Sequence, residues 1–73
     1  MKTDKLLSII NKLLQKKGKT KLESLNGDIL LMDDLSLDSL DLAEMTVLIE
    51  DEFGIDVFED GLVRSVNEVL DKL

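Results

Sequence analysis

Apolar residues return at three- and four-residue intervals in three separate stretches of this 73-residue chain, the spacing of a helix with one buried face. In segment 4–17, Leu6, Ile9, Ile10, Leu13 and Leu14 mark that face, with Leu7 beside it. Thr3 or Asp4 can cap its start. Lys16 and Lys17 sit in the last turn, where cations suit the dipole, and Gly18 can take the left-handed position that ends a helix. Segment 39–53, SLDLAEMTVLIEDEF, is the second helix, about 22 Å long at 1.5 Å per residue. Asp38 suits its N-cap, Asp41 three positions later gives an acidic form of the capping box, and Gly54 ends it. Its apolar residues (Leu40, Leu42, Ala43, Met45, Val47, Leu48, Ile49, Phe53) fill more than one stripe. Such a helix either lies at the centre of the fold or offers apolar side chains to a partner. In the third stretch Ser65 caps a helix with Val66, Val69, Leu70 and Leu73 as its apolar face.

The connections are less regular. Residues 18–37 form a long link with a turn at Asn26-Gly27, and bare loops of that length are uncommon in small domains. Leu22, Leu25, Ile29, Leu30, Leu31 and Leu35 can pin it to the core. Ile55-Asp56-Val57-Phe58 reads as a short extended link, and residues 59–63 as one helical turn. Strand formers are sparse and Pro is absent. The predicted fold is all-α: a single domain over residues 1–73, a small bundle of three main helices plus one short helix. A chain this short buries roughly 60% of the surface it exposes unfolded, which leaves little room for a deep cleft.

Charge narrows the function further. The net charge is −7, and thirteen acids lie in residues 23–63 without one Lys or Arg among them. That field repels nucleic acid and anionic lipid and attracts basic protein surfaces. No apolar run approaches a membrane span, and MKTDKLLSII is too mixed for a signal peptide, so a soluble cytoplasmic monomer is expected.

Two serines, Ser36 and Ser39, lie in LSLDSLD at residues 35–41. Neither can be a self-activated nucleophile: the chain has no His, no Lys lies between positions 22 and 71, and no G-x-S-x-G elbow is present. A calcium loop beginning at Asp34 fails, because Ser39 stands where Gly is needed and Met45 where Glu is needed. Without His or Cys there is no soft-ligand metal site either, and no catalytic or metal-binding residue is expected. What remains is a serine modified by another protein. Ser39 suits this, since it follows the N-cap candidate Asp38 and opens a helix, where free N–H groups and the positive dipole end favour an attached phosphate.

Asp34-Leu35-Ser36-Leu37-Asp38-Ser39-Leu40, followed by an acidic helix closing in Glu50-Asp51-Glu52-Phe53, resembles the acyl carrier proteins, which carry D-L-G-x-D-S-L and then a helix ending E-E-x-F. The resemblance covers essentially the whole chain. It implies that Ser39, flanked by Asp38 and Leu40, bears 4′-phosphopantetheine, transferred from coenzyme A by a phosphopantetheinyl transferase, with cargo held as a thioester. It also implies that Asp38, Asp41, Glu44, Glu50 and Asp51 meet basic docking patches on acyl-loading and acyl-processing enzymes. Leu40, Ala43, Val47 and Val57 match apolar positions that border the arm and contact partners, although Val47 and Val57 suit core packing equally well. The pathway is left open among fatty-acid, polyketide and more specialised acyl routes. The alternatives are an aminoacyl, peptidyl or D-alanyl carrier and, from another class, an unmodified acidic helical adaptor. This chain departs from the family in having Ser36 for Gly, no Pro after Ile55, and the apolar run Leu30-Leu31-Met32. The first departure matters if the backbone at residue 36 needs a positive φ.

Overall fold

Residues 2–59, 61 and 63–73 are described in a computed structural model, and they hold three helices: α1 (Lys2–Lys16), α2 (Ser39–Phe53) and α3 (Val66–Lys72). The all-α prediction holds. α1 starts earlier than its apolar spacing indicates, so Thr3 and Asp4 lie inside its first turn and do not cap it. Its end is a Schellman motif: the Lys19 N–H donates to the Leu14 carbonyl at 2.8 Å and the Gly18 N–H to Gln15 at 3.0 Å, with Gly18 at φ 76°. α2 begins and ends where its caps predict. Gly54 is left-handed at φ 72° and its N–H reaches the Glu50 carbonyl at 2.7 Å.

Among the described residues the buried core is aliphatic apart from Met45. α1 supplies Leu6, Ile9, Ile10, Leu13 and Leu14, α2 supplies Leu42, Met45 and Ile49, and α3 supplies Val66 and Val69. Each such side chain, fully buried, contributes about 1.5–3 kcal/mol. Leu31, Leu35, Leu37, Val57 and Val63 complete it from the connections.

The long connection is fastened by backbone as much as by leucine. Asn11 of α1 brackets Leu22, its Nδ2 donating to the Leu22 carbonyl at 3.0 Å and its Oδ1 accepting the Leu22 N–H at 2.7 Å. Farther on, the Leu31 N–H donates to the Arg64 carbonyl at 2.8 Å and the Val66 N–H to Ile29 at 3.0 Å, forming an antiparallel bridge between Leu30 and Ser65. Leu31 and Leu35 are buried as pins, but Leu30 is exposed, because the bridge turns its neighbour Leu31 inward instead.

After α2 the chain is less extended than expected. Residues 57–59 form a turn, in which the Asp56 carboxylate accepts the Phe58 N–H at 3.0 Å and the Asp56 carbonyl the Glu59 N–H at 3.2 Å. The helical turn predicted for 59–63 falls partly on Asp60 and Leu62, which lie outside the described residues.

Candidate functional site: the mouth and outer face of α2

Asp38 is the N-cap of α2, and both halves of the capping box form. Its Oδ1 accepts the Asp41 N–H at 2.9 Å, while its own N–H donates to Asp41 Oδ2 at 3.0 Å. Caps of this kind contribute about 1 kcal/mol. Ser39 is therefore the first helical residue, and its side chain is exposed. The N–H groups of the first turn have no carbonyl within the helix to bond, and the positive end of the dipole lies there. An anionic diester attached to Ser39 fits this place.

The loop before the cap is held from α1. Ser36 has φ 57°, so the backbone at that position does require the left-handed region, which costs an L-residue roughly 1–2 kcal/mol. Its carbonyl accepts from Lys17 Nζ at 2.9 Å, and the same ammonium lies 2.5 Å from Asp41 Oδ2. The hydrogen bond from Lys17 holds the Asp41 carboxyl below its ordinary range, assisted by the Asp38 backbone N–H. In return Asp41 raises the Lys17 ammonium. One helical turn on, Lys16 forms an ion pair with Glu44.

The acidic face thus divides. Asp41 and Glu44 are engaged by the lysines that end α1, whereas Asp38, Glu50 and Asp51 are exposed. Among the apolar candidates, Leu40 is 81% exposed, Val47 is 65% exposed, and Ala43 is exposed between them. Val47, Glu50 and Asp51 line one shallow groove of about 300 Å³. Val57 is 0% exposed: it packs in the core and offers nothing to a docking surface, because the turn at 57–59 points it inward. Sequence reasoning missed the engagement of Lys16 and Lys17. The only hint was a basic block, 16–21, set ahead of a stretch, 23–63, that holds acids and no Lys or Arg. Among the described residues no cluster of acids converges as a metal site, and no helix is long and apolar enough to cross a membrane.

Residues 4–73 match the phosphopantetheine attachment site family. The chain belongs to that family. An acyl carrier protein of Buchnera aphidicola subsp. Schizaphis graminum is 38% identical over 56 residues, covering 77% of this chain and 66% of that protein. An acyl carrier protein of Solidesulfovibrio magneticus is 35% identical over 48 residues, covering 66% of this chain and 60% of its own length. The chain thus spans 66% of the first relative's length and 60% of the second's. No solved structure matches. Membership in the phosphopantetheine-attachment family brings 4′-phosphopantetheine as a covalently attached cofactor. The exposed hydroxyl and open N–H groups at the mouth of α2 suit that group.

Proposed function

We propose that this protein is an acyl carrier whose phosphopantetheine is attached to Ser39 and whose cargo travels between enzymes as a thioester on the arm. The observation that carries the reading is the setting of Ser39, exposed at the first position of a capped helix. The other serines serve less well. Ser65 is occupied as the N-cap of α3, Ser8 is in mid-helix, Ser24 lies in the connection, and Ser36 precedes the cap in a left-handed kink. The protein has no catalytic part of its own in this scheme. A transferase supplies the base for the Ser39 proton, and later enzymes work on the cargo.

Docking uses the exposed face of α2. Asp38, Glu50 and Asp51 draw a basic partner surface, while Leu40, Ala43 and Val47 give it apolar contact. Such charges speed encounter without locking the complex, which suits a shuttle that must leave each enzyme. The cargo is an acyl group of a fatty-acid, polyketide or related route, carried by a cytoplasmic monomer. Asp38 ahead of Ser39 supports an acyl over a peptidyl cargo.

Intact-mass measurement after incubation with coenzyme A and a promiscuous phosphopantetheinyl transferase tests the assignment. Wild type gains one arm and Ser39→Ala gains none. An arm on Ser36, or a wild-type chain that stays unmodified, overturns it in favour of another site or of an unmodified acidic adaptor.

A further inference from the structure

We propose that Lys17 is a positioning residue for the loading of Ser39: its ammonium joins the end of α1 to both the loop before α2 and the capping box of α2. The inference rests on the carrier reading of Ser39.

Three contacts meet around this one side chain. Lys17 Nζ donates to Asp41 Oδ2 at 2.5 Å and to the Ser36 carbonyl at 2.9 Å, and that same Asp41 oxygen accepts the Asp38 N–H at 3.0 Å. Residues 36, 38 and 41 are thereby tied to one cation, and Ser39 lies between them. The link is also the most shielded ion pair among the described residues. Its side chains are 26% and 17% exposed, against 67% and 38% for Lys16–Glu44 and 54% and 47% for Lys5–Glu52. A shielded pair is less weakened by salt and water than its neighbours. Ser36 adds a reason for the tie, because a left-handed L-residue persists only where its surroundings enforce it.

Loading makes the Ser39 Oγ–phosphorus bond as the pyrophosphate P–O bond of coenzyme A breaks. The adenosine bisphosphate leaves, and the serine proton passes to a base of the transferase. The reaction needs Oγ in line with phosphorus, so a frayed first turn lowers the fraction of complexes that can react. Of the docking face, Val47, Glu50 and Asp51 lie a turn or more away and are left intact. The loss then falls on kcat. It does not fall on KM for the carrier, since removing Lys17 makes the face more negative, which favours a basic enzyme.

The test compares wild type with Lys17→Met, Lys17→Arg and Lys12→Met in transferase kinetics at saturating coenzyme A, with circular dichroism confirming that each is folded. Lys12→Met removes the same charge from an exposed residue of α1. Lys17→Met is expected to lower kcat roughly tenfold or more with KM unchanged or reduced. Lys17→Arg recovers most of the loss, and Lys12→Met matches wild type. A Lys17→Met kcat within about twofold of wild type overturns the proposal, as does an effect confined to KM or an arginine variant no better than methionine. Should Lys17→Met fail to fold, Asp41→Asn carries the same kcat prediction, because it keeps an acceptor for the Asp38 N–H while removing the charge that Lys17 meets. A wild type that is never modified refutes the carrier reading instead, so the two failures are distinct.

Discussion

A Cβ on Gly27 would lie 2.1 Å from the side-chain oxygen of Asn67, and the Asn67 N–H donates to the Gly27 carbonyl at 3.0 Å. The first turn of α3 therefore rests directly on the loop between α1 and α2. Gly27→Ala must push the Asn67 amide aside. Asn67 is exposed, so its side chain can swing into water, and the cost is expected to be about 1 kcal/mol, at the low end for overpacking. Urea melts of a double-mutant cycle check this: the same substitution in an Asn67→Ala background should cost clearly less. Equal costs in both backgrounds would show that the contact is not felt.

Ser36→Gly is expected to stabilise. Relief of the left-handed strain gives roughly 1–2 kcal/mol, and the extra freedom of glycine in the unfolded chain takes back about 0.4–1 kcal/mol. The net gain is about 0.5–1 kcal/mol, or roughly 2–8 °C in Tm for a domain of this size. Ser36→Ala keeps the Cβ and the strain, so a calorimetric scan should show no such rise for it.

The Lys17–Asp41 pair has a defined pH signature. Asp41 titrates below its ordinary 3.8 in the folded protein, so its contribution is complete above that value and is lost as pH falls through the depressed one. Lys17 titrates above its ordinary 10.5, so its share is complete below that value and disappears as pH rises through the raised one. The stability difference between wild type and Asp41→Asn should then be largest near neutral pH and shrink below about pH 4. Urea midpoints that keep a constant gap from neutral to acid would contradict it.

Val47 and Val57 should part company under the same substitution. Val57→Ala leaves a hole in the core and is expected to cost about 1.5–3 kcal/mol. Val47→Ala, on the exposed face, should change stability by less than about 0.5 kcal/mol while raising the carrier KM of a docking enzyme severalfold. Thermal melts and transferase kinetics on the same samples separate the two.

What could be read in the sequence was what is fixed locally. α2 is bounded by Asp38 and Gly54, whose side-chain and backbone chemistry acts within four residues, so both ends fall where expected. α1 offers two cap candidates, Thr3 and Asp4, and the helix runs past both to Lys2. In the irregular link after α2 there is no periodicity to distinguish inside from outside, which is why Val57 suited surface and core alike. Leu30 and Leu31 differ for a similar reason, being sorted by a bridge to residues 64–66. The division of the acidic face lay furthest out of reach. Lys17 finds Asp41 across 24 positions of chain, and which charge meets which is decided only once α1 packs on α2.

The bridge between Leu30 and Ser65 has one more consequence. Seven residues are too few to hold a helix in water, so α3 depends on what braces its first turn. Its brace is the same strip of chain that leads into the mouth of α2. Hydrogen exchange should find the amides of Leu31, Val66 and Asn67 opening together, as one subglobal unit, and any partner that pries at the last helix will loosen the approach to Ser39 as well.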